Sequence, residues 1–127
     1  MTKKPIVTDS APTPAGAYSP GIQYGDLVFT AGFGPQDPLT GQIAGDDIET
    51  QTRQVLANVA AVLETAGLGL ADVLKATVHL ANLERDFAGF NAVYSQCMPK
   101  PYPVRTTVGS QLMGILVEID VIAGKPA

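Results

Sequence analysis

The feature that most constrains this chain is a change of hydrophobic period. Ile48, Thr52, Val55, Val59, Val62, Leu63 and Ala66 recur at helical spacing up to Gly67, whereas from Asp72 to Leu83 the apolar positions alternate. A chain that switches from a period of 3.6 to a period of 2 across one glycine must pass from an amphipathic helix into a strand. The spacing predicts a helix opened by a capping box, Asp46 with Glu49, and stopped at Gly67. In the following strand Leu74, Ala76, Val78 and Leu80 are expected on one face and Lys75, Thr77 and His79 on a wetter one.

The same reading extends to both ends. Residues 11–21, with Pro12, Pro14 and Pro20, form an extended entry that a short strand at Ile6 and Val7 precedes. Two β-prone runs, Ile22 to Tyr24 and Leu27 to Ala31, flank Gly25 and Asp26, which is hairpin chemistry. Gly32 to Gly45, dense in glycine and proline, is an ordered loop. A second helix, capped by Asp86, aligns Phe87, Phe90, Tyr94, Cys97 and Met98, and Pro99, Pro101 and Pro103 forbid its continuation. Val104 to Val108 and Ile115 to Ala123 are the last strands, with Glu118 and Asp120 on one face of the latter.

Strands, helix, strand, helix and strands make one α+β domain over residues 1–127, its six-stranded sheet covered by two helices on one side. Two helices cannot shield both faces, so the second face, which mixes aliphatic and polar groups, is expected to lie against another copy of the chain.

Composition and charge narrow the function. No apolar run is long enough for a signal sequence or a membrane span, and the single cysteine, Cys97, suits a reducing compartment, so a cytoplasmic protein is expected. Cys97 itself reads as a small buried apolar group. Eight basic against twelve acidic residues, a net charge of −4, disfavour nucleic acid as a partner. One histidine and one cysteine cannot build a zinc site, Gly32-Phe33-Gly34 lacks the third glycine of a phosphate loop, and His79 stands mid-strand without a nucleophile-elbow motif. Neither metal nor cofactor is expected.

Two residues remain. Arg105 is either a solvated strand charge or a guanidinium fork that grips a substrate carboxylate at two points. Glu118, an acid among aliphatic residues, is either an edge carboxylate facing water or a desolvated group able to exchange protons near neutrality.

The chain resembles the RidA family, also called the YjgF family, over nearly its whole length. The resemblance rests on Gly16-Ala17-Tyr18-Ser19-Pro20-Gly21, Val28-Phe29-Thr30-Ala31-Gly32, Pro38-Leu39-Thr40-Gly41, the run Gln51 to Val59, Phe90-Asn91-Ala92-Val93-Tyr94, Pro103-Val104-Arg105 and Val117 to Ala123. It implies a chorismate-mutase-like fold assembled as a homotrimeric barrel with sites in the clefts between subunits. The implied activity is cofactor-independent hydrolysis of 2-aminoacrylate and related 2-imino acids to 2-keto acids and ammonia. Arg105 would be the carboxylate clamp and Glu118 would position water or relay a proton. Tyr18 and Asn91 would shape the cleft, and backbone N–H groups near Gly32 and Thr107 would assist in binding the carboxylate.

The chain departs from the pattern at Ala31, where the deaminase subgroup often has serine, at Thr107, where it often has cysteine, and at Gln111-Leu112-Met113, in a loop that is shorter than usual. Losing a hydroxyl at position 31 removes a hydrogen bond of about 0.5–1.5 kcal/mol, enough to change substrate preference. Three alternatives stay open: an enzyme for a different imine or enamine, a trimer that binds small carboxylate metabolites without turnover, and the ribonuclease activity attached to the family's older names. The last finds neither a basic groove nor a histidine pair in the chain.

Overall fold

The computed structural model describes residues 1–127. The elements are β1 (Lys4–Ile6), β2 (Gly21–Tyr24), β3 (Leu27–Thr30), α1 (Ile48–Thr65), a 3₁₀ turn (Leu70–Asp72), β4 (Val73–Leu80), α2 (Leu83–Cys97), β5 (Val104–Gly109) and β6 (Val117–Gly124). They form one six-stranded sheet in the order β1-β2-β3-β6-β4-β5. Every pairing is antiparallel except β4 with β5. That parallel pair needs a crossover, which α2 supplies; α1 makes a longer one from β3 to β4, and β6 fills the gap between them.

Local chemistry explains the boundaries. The β2–β3 hairpin turns at Gly25, whose φ of +60° suits the residue type. At the end of α1 the N–H of Leu68 donates to the Leu63 carbonyl and that of Gly67 to Glu64, with Gly67 at φ +78°. This is a Schellman ending, as Gly67 predicts.

Several sequence expectations are corrected: β1 ends at Ile6 and leaves Val7 exposed, and Cys97 is only partly buried. The N-cap of α1 is Asp47, not Asp46: its carboxylate accepts from the Thr50 N–H at 2.9 Å, which holds the Asp47 carboxyl below its ordinary value. The capping pattern lay one residue out of register. Helix α2 begins at Leu83 after Asn82, and Asp86 sits inside its first turn, buried against a bidentate Arg85. Leu74 is 52% exposed while Val73 is buried, because an irregularity in the β4–β6 register between Val73 and Lys75 shifts the alternation by one residue.

Both helices lie on one face. Val55, Val59, Val62 and Leu63 of α1, with Phe90 and Tyr94 of α2 and Met98 at its C-cap, close over Val28, Ala76, Val78, Val117, Ile119 and Val121 in a single core cluster. The opposite face carries Leu27, Phe29, Leu74, Val104 and Val108, all exposed, among Lys75, Thr77, His79, Glu118 and Asp120.

Candidate functional site

Arg105 belongs to the covered face. In the β4–β5 register it lies beside Ala76, and Thr107 beside Val78, so both side chains sit on the helix side of the edge strand β5. One guanidinium nitrogen of Arg105 donates to Asn91 Oδ1 at 2.8 Å. Its carbon stands 4.8 Å from the centroid of the Tyr94 ring, 5.4 Å from Phe90 and 5.7 Å from Phe87. These aromatic faces attract a cation without neutralising it.

No carboxylate joins the guanidinium; the chain's ion pair is elsewhere, between Arg85 and Asp86. Arg105 is thus a partly buried, oriented cation whose remaining donors face no acid of its own chain. Beside it, the hydroxyls of Tyr94 and Thr107 are buried without a hydrogen-bond partner. Burial pushes the Tyr94 hydroxyl above its ordinary value, with the charge of Arg105 acting in the other direction. Tyr94 therefore stays neutral across the physiological range and keeps its proton to donate.

Glu118 belongs to the open face. It lies directly opposite His79 on β4, and its neighbours Val117 and Ile119 point into the core. Its carboxylate occupies the space where a side chain at position 32 would begin, so any larger residue there would have to displace it. The chain reaches this point because Phe33 and Ile119 form an isolated antiparallel bridge with N–H to carbonyl bonds of 2.9 and 3.1 Å.

Buried amides of α1 hold the rest of the loop. Asn58 Nδ2 donates to the carbonyls of Gly34 and Gln36 at 3.0 and 2.9 Å. Gln51 donates to the Gly45 carbonyl at 3.1 Å and accepts from the Leu116 N–H at 2.9 Å, tying the loop to the start of β6.

The predicted residues therefore fall into two groups. Arg105, Asn91 and Thr107 come together on one side of the sheet; Glu118 and Gly32 come together on the other. Ala31 follows β3, partly buried against the core, with its N–H donating to the Pro20 carbonyl at 2.9 Å. Tyr18 is exposed in the entry segment, and its hydroxyl accepts from the Ala15 N–H at 3.0 Å. Sequence reasoning placed Phe87, Phe90 and Tyr94 on one helical stripe and missed their role as the bed of Arg105. The signal was present, since Phe87, Asn91 and Tyr94 stand at i, i+4 and i+7.

No three His, Cys, Asp or Glu side chains are grouped to hold a metal ion. No helix is long and apolar enough to cross a membrane.

A mixed sheet with both helices on one face, an arginine without an acidic partner at its edge and a carboxylate over glycine on its other face define a small α+β protein class. Comparison with known proteins makes the class specific. The family described as endoribonuclease L-PSP matches residues 8–125. The chain is 45% identical to a RutC family protein of Pyrococcus horikoshii over 97% of its own length and 98% of that protein's. It is 38% identical to the 2-iminobutanoate/2-iminopropanoate deaminase of Salmonella typhimurium over 94% and 96% of the two chains. Among solved structures, the YjgF gene product of E. coli superposes with a TM-score of 0.88 at 35% identity, covering 97% of this chain and 99% of that one. E. coli TdcF with bound serine gives 0.89 at 37% identity, covering 97% and 99%. The chain belongs to the RidA/YjgF family.

Proposed function

We propose that this protein hydrolyses 2-aminoacrylate and related 2-imino acids to 2-keto acids and ammonia, without a cofactor, in sites formed between neighbouring copies of the chain. The observation that carries the reading is Arg105, an oriented cation with no acidic partner, fixed by Asn91 and three aromatic rings. A guanidinium held that way suits a planar carboxylate in two-point contact. The deaminase name of the Salmonella relative supports the chemistry, and the serine bound to TdcF is a small acid of suitable size.

The rest follows from how imines react. A protonated imine is already electrophilic, so orientation of the carbon and a placed water suffice to raise the rate. Glu118 is the group to place that water. Because Arg105 and Glu118 lie on opposite faces, a site using both takes Arg105 from one copy and Glu118 from the next. The exposed apolar residues of the open face favour such an assembly, and a homotrimer is the form we propose. A cleft polarised for a single carboxylate and a net charge of −4 speak against RNA as substrate.

The test generates 2-aminoacrylate with a serine dehydratase and follows 2-keto acid release with wild-type protein, with Arg105→Ala and with no addition. Wild type is expected to accelerate release. Arg105→Ala should lose about 10²- to 10⁴-fold in kcat/KM, the equivalent of two charged hydrogen bonds. No acceleration of serine-, threonine- or bulkier amino-acid-derived imines would overturn the reading in favour of carboxylate binding without turnover.

A further inference from the structure

The chain's one histidine takes no part in the scheme above, yet it adjoins Glu118. His79 is half-buried on the open face of β4, with Nδ1 2.7 Å from Ser110 Oγ, just beyond β5. Residues directly opposed on antiparallel strands share a face, with Cβ atoms about 4.5–5.5 Å apart. His79 and Glu118 are such a pair. Ser110 also lines a cleft of about 580 Å³ with Asn82, Gln111 and Leu112, so the row Gly32, Glu118, His79, Ser110 runs from the loop to an opening in the surface.

Two carboxylates of β6 share this face with His79: Glu118 lies directly opposite it and Asp120 lies on the diagonal. Asp120, two residues along β6, is paired with Thr77 rather than with His79. Burial pushes the Asp120 carboxyl above its ordinary value, while His79 and Lys75, both on β4, draw it back down. From β5 the neighbours on this face are Thr106 and Val108, neither charged.

We propose that His79 is a positioning residue for Glu118, held in one tautomer by Ser110. With the Ser110 hydroxyl donating to Nδ1, the ring proton resides on Nε2 and is offered to one oxygen of Glu118, which turns the other toward the attacking water. This inference rests on the imine-hydrolase reading. Water oxygen bonds to C2 of the protonated imine and gives a proton to Glu118. Glu118 returns that proton to nitrogen, the C–N bond breaks with its electron pair leaving on ammonia, and the hydroxyl proton passes to ammonia as the C=O bond forms. His79 ends each turnover with the proton it began with.

Kinetics and a spectrum of the single imidazole test the proposal separately. His79→Phe should lower kcat about tenfold, part of the 10²–10⁴ that a positioned proton acceptor supplies, leave KM within about twofold because the Arg105 clamp is untouched, and displace the pH profile of kcat. His79→Gln, which keeps an N–H donor, should restore most of the rate. A His79→Phe enzyme with wild-type kcat across about pH 5 to 9 would overturn the idea. In ¹⁵N NMR the one ring should show the Nε2–H tautomer, and both Ser110→Ala and Glu118→Gln should convert it to a mixture. Ring signals unmoved by both variants would also overturn it. If no imine is turned over, the proposed activity fails on its own, and the spectrum still decides whether the Ser110–His79–Glu118 chain exists.

Discussion

The two faces of the sheet are built by opposite rules. On the covered face every second residue of β6, from Val117 through Ala123, is buried against helices, and the one cation present is locked by an amide and three rings. On the open face the alternate residues, Glu118, Asp120 and Ile122, stay half-exposed beside His79, Thr77 and Lys75. The first face is complete within one chain. The second has titratable groups and exposed aliphatics but no cover, and on the proposed reading its chemistry depends on what a neighbouring copy brings.

The sharpest way to break that contrast is to divide the two faces between chains. Arg105→Ala and Glu118→Gln proteins, each expected to be strongly impaired alone, should recover activity when unfolded together and refolded as a mixture. If each site takes one residue from each of two copies, half the arginines and half the glutamates are intact, and about a quarter of wild-type turnover should return. No recovery would place both residues in the service of one chain.

Stability should separate the faces next. Ile119→Ala on the covered side should cost about 2–5 kcal/mol in denaturant unfolding, because it opens a cavity in a closed core. Phe29→Asp on the open side should leave the isolated chain folded and lower the mass found by sedimentation.

Asn91→Ala tests the lock on Arg105. Removing a hydrogen bond to a charged group should cost about 1.5–3 kcal/mol of transition-state stabilisation, roughly 10- to 100-fold in kcat/KM, with little change in melting temperature. Equal activity would mean that the rings alone hold the guanidinium.

The smallest effect concerns Asp120. Its carboxyl is held above the ordinary 3.8, chiefly by burial, so the folded state binds the proton more tightly than the unfolded one. Its contribution to stability is then greatest at low pH and declines as pH rises from about 3.8 through the raised folded value. Asp120→Asn should accordingly raise stability at pH 7 by no more than about 1 kcal/mol, since solvent screens a half-exposed group, and the gain should disappear below about pH 4.

Much of this was legible before any coordinates. The period change at Gly67, the Gly25-Asp26 hairpin and the proline stop after α2 each follow from local rules, and all three hold. The misplaced boundaries, Asp46 for Asp47 and Asp86 for Asn82, came from choosing among several acidic residues when only backbone geometry selects the cap. Leu74 was assigned to the wrong face because a register irregularity leaves no mark in an alternating pattern. At the site, residue types pointed to Arg105 and Glu118, but which side of the sheet each takes depends on strand pairing across distant segments. The contact of His79 with Ser110 spans 31 positions and has no sequence signature.

The strand that carries Arg105 is also the outermost of the sheet. β5 pairs on one side only, and Val104, Thr106 and Val108 are exposed along it. A free edge of this composition is a template on which further strands can add, which makes it a point of aggregation whenever nothing lies against it. Contact with a neighbour at this edge would thus serve solubility as well as catalysis. Substitutions that weaken assembly without adding a charge, unlike Phe29→Asp, should then show themselves first as precipitate in the tube.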